Sequence, residues 1–316
     1  MRVCVTGAAG FIGSHVCRRL AADHDLIGID DLSTGSQANI DGLDIDFING
    51  SILNPDALTR ATTNVDAIVH LAARPSVPRS ILEPVATHEA NATGTLRVLE
   101  AARSRNAHVI VASSSSVYGA NPTLPKHEGL VPQPVSPYAV SKLAAEQYSL
   151  AWQHSFGLPT LAFRFFNVFG PRQAPGHAYA AVIPAFVHAA LTNEALSVHG
   201  DGTQSRDFTY VGTVVDVIAD AIVRRVTCES PVNLAFGTRT SLLDLIQKME
   251  RLLGHSVEVR HTELRAGDVA HSQADNALLT SLFPDIQPSS LDEGLQQTID
   301  WMRTWIETQG ARSTSD

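Results

Sequence analysis

The chain has 316 residues, of which 44% are hydrophobic and 17% charged, and its formal net charge is −9. These proportions fit one large globular domain or two smaller ones that share a cleft. The negative charge argues against a nucleic-acid surface, and no apolar stretch runs far enough without interruption to predict a transmembrane span. The 3 cysteines and 13 histidines show no metal-ligand spacing, and the first residues do not resemble a signal peptide. We therefore expect a cytoplasmic protein without a metal site.

The first residues show the pattern of a dinucleotide-binding site. Residues 2–6 are a β-branched-rich run, followed by Gly7, Gly10 and Gly13 and an amphipathic stretch to about residue 22. The first two glycines let the backbone approach a pyrophosphate, and the third lets a helix pack closely on a strand. The spacing is GxxGxxG rather than the commoner GxGxxG. The order of strand, glycine loop and helix predicts the binding site.

A second strand, at residues 26–29, ends in Asp30 and Asp31. An acidic residue at this position can hydrogen-bond both hydroxyls of the adenosine ribose, and we assign that role to Asp30. The same carboxylate repels a 2'-phosphate. The pattern therefore favours NAD over NADP.

Four more strand-like runs alternate with helical patterns, notably around residues 85–104 and 138–155. This alternation predicts an α/β fold with a Rossmann-type, doubly wound parallel sheet covered on both faces. The four runs are 45–48, 67–71, 109–112 and 160–163. Beyond residue 166 the alternation weakens, which predicts that an NAD-binding domain of residues 1–166 is followed by a smaller α/β substrate domain, 167–316. Residues of about 207–230 are predicted to return to the first domain.

Three residues suggest a catalytic arrangement. Tyr138 and Lys142 lie one turn apart on one helix face, where the ammonium is expected to lower the tyrosine pKa from about 10. Ser114 belongs to a serine run, 113–116, that directly follows a strand. The carboxyl ends of parallel strands face the ligand crevice. Each feature alone is weak, because solvated helix pairs and serine turns are common, but with the NAD fingerprint they form one arrangement.

Over nearly its whole length the sequence resembles the extended short-chain dehydrogenases/reductases, specifically the NAD-dependent nucleotide-sugar epimerases. The motifs that carry the resemblance are TGAAGFIG at 6–13, HLAA at 70–73, NATGT at 91–95, the serine run, the Tyr138/Lys142 pair, RFFNVFG at 164–170, GDGTQSRD at 200–207 and RAGD at 265–268. The resemblance implies bound NAD, a UDP-sugar substrate and a homodimer formed through the helices at 85–104 and 138–155.

The resemblance also implies roles at the catalytic centre. Ser114 would hydrogen-bond the sugar 4-hydroxyl, Tyr138 would act as its base, and Lys142 would also hold the nicotinamide ribose. The implied cofactor contacts are Gly7, Gly10, Phe11, Ile12, Gly13, Asp30, Asp31, Ser51, Ile52, Leu71, Ala72, Ala73, Asn91, Tyr138 and Lys142. Ser51 stands where the family usually has an acidic residue, so we expect a weaker contact to adenine there.

The implied substrate contacts include two arginines. Arg206 and Arg265 would grip the diphosphate, because guanidinium groups match phosphate oxygens in bidentate geometry, and Asn167 would contact the sugar or diphosphate. The full implied set is Ser76, Val77, Arg79, Ser114, Ser115, Asn167, Val182, Arg206, Arg265, Asp268 and Ser272. Such local cations would hold an anionic ligand against the negative charge of the whole chain.

The residues after Ser114 reduce the number of family reactions that the chain could catalyse. Family dehydratases carry an acid/base pair there and decarboxylases a glutamate, but this chain has Ser115 and Ser116. Hydroxyl groups cannot remove a carbon-bound proton. After Tyr138 takes the 4-hydroxyl proton and C4 gives a hydride to NAD, the 4-keto sugar can then only take the hydride back. Return to the opposite face makes the predicted enzyme a UDP-sugar 4-epimerase.

Local similarity also suggests the sugar. The segments 76–80, 178–184 and 267–272 resemble epimerases specific for UDP-N-acetylhexosamines. Ser272 stands where epimerases restricted to UDP-glucose have a tyrosine. A serine leaves volume for an acetamido group, which Ser76 and Ser80 could hydrogen-bond. We therefore predict UDP-GlcNAc/UDP-GalNAc interconversion.

Several alternatives stay open. UDP-glucose is one alternative substrate, and UDP-glucuronate is another, with Arg79 or Arg172 for its carboxylate. A nucleotide-sugar dehydratase is a further possibility within the family. A non-catalytic NAD-binding regulator on the same fold is the alternative from a different functional class.

Overall fold

The computed structural model describes residues 1–175, 181–263 and 270–313, with side chains to residue 308. The strands are β1 (Arg2–Thr6), β2 (Asp25–Asp30), β3 (Asp46–Asn49), β4 (Ala67–His70), β5 (His108–Ser114), β6 (Thr160–Phe165), β7 (Val168–Phe169), β8 (Leu196–His199), β9 (Ser205–Arg206), β10 (Thr209–Tyr210), β11 (Val232–Leu234), β12 (Thr240–Ser241) and β13 (Val259–Thr262). The α-helices are α1 (Phe11–Leu20), α2 (Pro55–Thr62), α3 (Val77–Leu82), α4 (Pro84–His88), α5 (Gly94–Arg103), α6 (Pro137–Phe156), α7 (Val182–Leu191), α8 (Val211–Arg224), α9 (Leu242–Leu253), α10 (Ala277–Leu282) and α11 (Leu291–Ser313).

A seven-stranded parallel sheet organises the molecule, in the order β3-β2-β1-β4-β5-β6-β11. The first six strands have the Rossmann order, in which β2 and β3 are added on one side of β1 and β4 to β6 on the other, so the strand order reverses between β1 and β4. The central strands are short apolar runs because helices cover both of their faces. The predicted fold class is confirmed.

Two layers of helices bury the sheet. On one face α1 and α8 pack together, with Val16 and Val214 in the core beside Val3 of β1. On the other face α2, α5 and α6 cover the sheet, with Leu99 and Ala145 in a second core cluster. Apolar burial on both faces leaves the strand ends as the place where polar side chains gather.

The long helix α6 has clear start and stop signals. Ser136 caps it by accepting a hydrogen bond from the N–H of Ala139 at 3.2 Å, and Pro137 occupies the first turn. Gly157 ends it with φ of +68°, a conformation that favours glycine. The helix lies against β5 and β6, so its first turn reaches the carboxyl end of the sheet.

The structure differs from the predicted elements at two places. The helical stretch predicted at 85–104 is three pieces, because a π-helical turn, Glu89–Thr93, separates α4 from α5. The segment at about 207–230, predicted to rejoin the NAD-binding domain, contains α8. The part of the chain that joins the large sheet extends further, to Leu234, because β11 is its edge strand. The division into two domains stays a prediction. None of the described helices is both long and apolar enough to cross a membrane.

Candidate active site

A cavity of about 1620 Å³ opens at the carboxyl ends of the large sheet. The segments that follow β1, β2, β4, β5 and β6 all contribute to its wall, as expected at the crevice of a doubly wound sheet. Pockets for single drug-sized ligands are commonly about 300–1000 Å³. The cavity is therefore large enough for a dinucleotide and a second ligand.

The glycine loop forms one end of this cavity. Gly7 has φ of +71°, and a side chain there would place its Cβ 2.8 Å from the backbone nitrogen of Ala72. A Cβ on Gly13 would overlap the carbonyl oxygen of Gly7. The first turn of α1 lines the cavity and has neither a side-chain cap nor an acidic residue. This end fits a pyrophosphate.

Asp30 closes β2 beside the glycine loop. Its carboxylate accepts hydrogen bonds from the N–H groups of Ala9 at 2.9 Å and Leu32 at 2.8 Å. Burial raises the pKa of Asp30, and these two hydrogen bonds partly offset the rise. Two backbone donors thus hold the carboxylate at the cavity wall, where its remaining lone pairs can accept from ribose hydroxyls.

The three residues predicted to be catalytic lie together at the cavity wall. Ser114 ends β5, Tyr138 and Lys142 lie on α6, and all three line the cavity. Ser114 hydrogen-bonds Tyr138, and its Oγ accepts from the N–H of Ser116 at 3.1 Å. The buried Lys142 donates from Nζ to the carbonyl of Ala112 at 2.8 Å.

The expected direction of the tyrosine pKa is wrong for this structure. Burial raises the pKa of Tyr138 above its ordinary value, and the hydrogen bond from Ser114 offsets only part of that rise. Burial also lowers the pKa of Lys142 to about 8. Desolvation disfavours the charged form of both groups, so the pKa of the tyrosine rises while the pKa of the lysine falls.

The cavity wall near Ser114 offers hydroxyls rather than carboxylates. Ser115 lines the cavity, whereas the Oγ of Ser116 is buried. In the described wall the carboxylates are those of Asp30, Asp31 and Glu89. The two aspartates lie at the end of β2, which β1 and β4 separate from β5, and Glu89 lies on the π-helical turn. The sequence around Ser114 thus supplies no group that removes a carbon-bound proton.

All predicted cofactor contacts line the cavity except Asn91. Asn91 is buried, and its Oδ1 accepts from the N–H of Arg74 at 2.7 Å. Its Nδ2 donates to the Arg74 carbonyl at 3.2 Å and to Ser141 Oγ at 3.0 Å. We therefore correct its assignment: its polar atoms are engaged within the protein, and it ties the segment after β4 to α6.

The predicted substrate contacts divide into three groups. Ser76, Arg79, Ser114, Ser115 and Asn167 line the cavity. Those that are described but do not line it are Val77, Val182, Arg206 and Ser272. Those that lie outside the described residues are Arg265 and Asp268. The contact suggested for Ser80 is wrong, because this serine is fully buried and its hydroxyl donates to the Val77 carbonyl at 2.6 Å.

Ser272 nevertheless lies beside the predicted diphosphate site. Its N–H donates to the carbonyl of Ser205 at 3.0 Å, and Arg206 Nη1 donates to the same carbonyl at 3.0 Å. The side chain of Ser272 is half-buried. Size at position 272 can therefore influence what fits next to Arg206.

Some residues that hold or line the site were not predicted from the sequence. Asp207 is buried and accepts from the N–H of Ala274 at 3.0 Å and from Thr238 Oγ1 at 2.9 Å. Burial raises its pKa to about 6. Its carbonyl accepts from Asn167 Nδ2 at 3.1 Å, so it holds a cavity residue in place.

The segment after Asp31 also lines the cavity, with Leu32, Ser33, Thr34, Gly35, Ser36, Ala38 and Asn39.

Comparison with known proteins agrees with this geometry. A profile of the NAD dependent epimerase/dehydratase family matches residues 3–235. The chain belongs to this family. It is 34% identical to UDP-glucose 4-epimerase of Mycolicibacterium smegmatis, with 96% of this chain and 99% of that protein covered.

Solved structures of the family show the same arrangement of the chain. A UDP-N-acetylglucosamine 4-epimerase from Methanobrevibacter ruminantium, in complex with UDP-N-acetylmuramic acid, superposes with a TM-score of 0.92 at 35% identity, covering 96% of this chain and 98% of that one. A UDP-glucuronic acid 4-epimerase from Bacillus cereus, in complex with UDP-glucuronic acid and NAD, gives 0.88 at 31% identity, covering 96% and 100%. The predictions of the family, of an epimerase and of NAD as cofactor are confirmed.

In this epimerase the glycine loop, Asp30 and Lys142 are the residues that would hold NAD. When bound, NAD supplies a reversible two-electron acceptor. The protein supplies the fixed backbone N–H groups at the start of α1, the carboxylate at the end of β2 and the ammonium on α6. These three features are spread across the crevice, as an extended dinucleotide requires.

Proposed function

We propose that the protein interconverts UDP-GlcNAc and UDP-GalNAc by inverting C4 through transient oxidation to a 4-keto sugar. The observation that carries the reaction is the Ser114–Tyr138–Lys142 arrangement beside Ser115 and Ser116. It provides one proton acceptor for a hydroxyl and no side chain placed to take a proton from carbon. Reversible oxidation at a single carbon is the chemistry that this set of groups supports.

Proton transfer falls to Tyr138. In its ionised form it accepts the proton of the sugar 4-hydroxyl, and it returns that proton when the sugar is reduced. Ser114 donates a hydrogen bond to the phenolate and so stabilises the ionised form. Lys142, with a pKa lowered to about 8, is still mostly protonated at neutral pH and adds a positive charge one turn along α6. General acid–base catalysis of this kind contributes about 10²–10⁴-fold.

The choice of an N-acetylated sugar is supported by two observations. A serine at position 272, next to Arg206, leaves more volume than a tyrosine there. The chain is also 35% identical to a structure described as a UDP-N-acetylglucosamine 4-epimerase. Of the two serines expected to bind the acetamido group, only Ser76 lines the cavity. It caps α3 by accepting from the N–H of Arg79 at 3.3 Å.

Product analysis with a panel of UDP-GlcNAc, UDP-glucose and UDP-glucuronate tests both parts of the proposal. We expect a C4 epimer of unchanged mass, with kcat/KM for UDP-GlcNAc at least about 10-fold above that for UDP-glucose. Equal or higher kcat/KM for UDP-glucose contradicts the proposed sugar. A product lighter by one water contradicts the reaction and indicates a dehydratase. Failure to convert any of the three sugars favours a non-catalytic role.

UDP-glucuronate is the second candidate, because two arginines line the cavity. Arg79 lies on α3, and Arg172 follows β7. Either guanidinium could pair with a sugar carboxylate. Higher kcat/KM for UDP-glucuronate than for UDP-GlcNAc would establish this alternative.

Exchange of Ser272 for tyrosine tests the basis of sugar choice. Overpacking by a large side chain costs about 1–3 kcal/mol, so we expect Ser272→Tyr to lower kcat/KM for UDP-GlcNAc about 10- to 100-fold. Activity on UDP-glucose should change less than about 3-fold. Ser272→Ala, which stays small, is the matched control and should keep the wild-type preference. Equal losses on both sugars in the tyrosine variant would show that position 272 does not read the acetamido group.

We further propose that the protein is a homodimer. Helices α3 and α4 contact α6, and together they expose Ile81, Leu82, Val85, Val140 and Phe156, three of which are more than 60% exposed. So many large apolar side chains on neighbouring helices are typical of a protein–protein interface. A second copy of the chain, offering the same face, would bury them.

A charge placed on this face should separate the two copies. We expect Leu82→Asp to convert a particle of two 33.9 kDa chains into one of a single chain, measured by light scattering during gel filtration. Val223→Asp is the matched control, because Val223 is 61% exposed on α8, away from this face. A wild-type monomer, or a dimer that survives Leu82→Asp, contradicts the proposed interface.

A cytoplasmic location is part of the proposal. Its support is the state of the cysteines: Cys4 and Cys17 are buried free thiols, and burial raises the pKa of each to about 12. Thiols so protected stay inert. Unpaired cysteines are usual in a reducing compartment.

A further inference from the structure

Behind the catalytic residues lies an ion pair that is closed off from solvent. The side chains of Glu146 and Arg164 are 0% and 2% exposed. Arg164 donates from Nε to one carboxylate oxygen at 2.9 Å and from Nη2 to the other at 2.7 Å. Ser113 Oγ donates to the first of these oxygens at 2.8 Å. One carboxylate therefore accepts three short hydrogen bonds from two different strands.

The pair connects the three elements that carry the active site. Glu146 follows Tyr138 and Lys142 at steps of four residues, so all three share one face of α6. Ser113 immediately precedes Ser114 in β5, and its partner in β6 is Arg164. The carboxylate thus fixes α6 to β5 and β6 about two helical turns along from Tyr138, on the helix face that also carries Lys142.

Arg164 is held on its other side as well. Its guanidinium carbon lies 4.7 Å from the centre of the Tyr118 ring, and the Tyr118 hydroxyl donates to Asn233 Oδ1 at 2.7 Å. Asn233 belongs to β11. These contacts hold the Arg164 guanidinium in place, and its two hydrogen bonds in turn fix the position of the Glu146 carboxylate.

Such a pair is a costly way to stabilise a fold. Desolvation of two charges offsets most of their attraction, and well-packed apolar side chains of similar volume often stabilise a protein as well or better. What an apolar pair lacks is direction. A bidentate, charge-assisted contact fixes both distance and angle. Misplacement of a reacting group by about 1 Å can cost about 10²-fold in rate.

We propose that the Glu146–Arg164 pair, through Ser113, is a positioning device that sets the Tyr138 hydroxyl against Ser114. Neither Glu146 nor Arg164 lines the cavity, and Ser113 connects the pair to the cavity wall. The inference rests on the proposed C4 epimerisation, but it does not depend on which sugar is used. If this is right, altering the pair should lower kcat while Tm stays close to the wild-type value.

Ser113 offers a test that leaves the ion pair intact. In the holoenzyme we expect Ser113→Ala to lower kcat about 3- to 10-fold with unchanged KM and NAD content, and Ser113→Thr to restore most of the rate. The matched control is Ser149→Ala: Ser149 is also buried on α6, but no partner for its Oγ is found among the described residues. Wild-type kcat in Ser113→Ala, or an equal loss in Ser149→Ala, overturns the proposal.

The pair itself is best replaced on both sides at once, because removing one partner leaves a buried charge alone. We expect the double variant Glu146→Leu/Arg164→Met to keep its NAD and a Tm within a few degrees of wild type, while kcat falls at least about 10-fold. A folded double variant with wild-type kcat overturns the proposal. If the double variant does not fold, the Ser113 series decides.

A measurement without substrate separates this inference from the proposed function. Absorbance titration of the holoenzyme, with the Tyr138→Phe protein subtracted, gives the pKa of Tyr138 itself. Loss of a correctly placed Ser114 should raise that pKa by at least about 0.5 in Ser113→Ala, since the Ser114 hydrogen bond lowers it. An unchanged pKa contradicts positioning. A wild-type enzyme that converts no UDP-sugar contradicts the proposed function but leaves this titration valid.

Discussion

Replacement of Tyr138 by phenylalanine is expected to lower kcat by at least about 10³-fold while fold and bound NAD are retained. The hydroxyl is the group at the cavity wall that hydrogen-bonds Ser114 and can exchange a proton with a sugar hydroxyl. Its removal deletes the whole general-base contribution, which lies near the upper end of about 10²–10⁴-fold when no other base stands close. The ring remains, so the cavity keeps its shape.

The natural control is on the same helix. Tyr148 lies ten residues further along α6 and is partly exposed, so Tyr148→Phe makes the same chemical change away from the cavity. Initial rates, NAD content by absorbance after denaturation and Tm should be compared for the two variants. We expect Tyr148→Phe to retain wild-type kcat. Turnover by Tyr138→Phe within about 10-fold of wild type would refute the assigned base.

The pKa of Tyr138 is a property that the sequence motif does not predict. Spacing alone places a lysine near the tyrosine and predicts a lowered pKa. In the folded chain burial has the larger effect and raises the tyrosine pKa. Lys142 donates a hydrogen bond to the Ala112 carbonyl. Desolvation is a property of everything packed around a group, so four residues of sequence do not encode it. Most of the predicted residues do line the cavity, but the direction of the Tyr138 pKa shift could not be predicted from the sequence.

The same contrast holds for the fold. Six strands of the large sheet could be predicted because each contains a short apolar run. The remaining strand, β11, was not predicted, because its three residues include a polar Asn233. The strands β7, β9, β10 and β12 have only two residues each, too short for any periodicity to mark them. Their positions depend on partners that are distant in sequence, such as Thr240 opposite Arg206.

Asn91 shows why a family motif can mislead about an individual contact. Its neighbours in sequence gave no sign that Arg74 and Ser141, 17 and 50 residues away, would occupy its amide. The π-helical turn that carries Asn91 is a local widening of the helix, which frequently occurs at functional sites. Here it connects the segment after β4 to α6, and no sequence period predicts it.

Gly13→Ala is expected to weaken NAD binding by at least about 10-fold and to lower the stability of the fold. In an exposed helix the same change stabilises by up to about 1 kcal/mol, because alanine favours the helical backbone. At Gly13 the new Cβ would overlap the carbonyl oxygen of Gly7 and lie 2.8 Å from its carbonyl carbon. These are backbone atoms of a loop whose own Gly7 has φ of +71°, so the loop or α1 must move.

The change in stability of Gly13→Ala is the difference between the helix-propensity gain of alanine and the cost of the overlap with Gly7. Overpacking costs about 1–3 kcal/mol, which exceeds the helix-propensity gain in most of that range. For a chain of 316 residues, with an unfolding entropy of about 2.1 cal/mol/K per residue, a loss of 1 kcal/mol shifts Tm by about 1.5 °C. NAD affinity is more sensitive, because the backbone N–H groups that face a pyrophosphate belong to the very loop that is displaced.

NAD titration of the stripped protein by calorimetry, together with Tm, measures both consequences. Gly129→Ala is the matched control, since its Cβ would meet only the flexible ring of His127 at 3.3 Å, and it should leave NAD affinity unchanged. A higher Tm with wild-type NAD affinity in Gly13→Ala would mean that the loop and α1 have room to separate. Close contact between Gly7 and Gly13 would then not be what builds the dinucleotide site, and the glycine spacing would need another explanation.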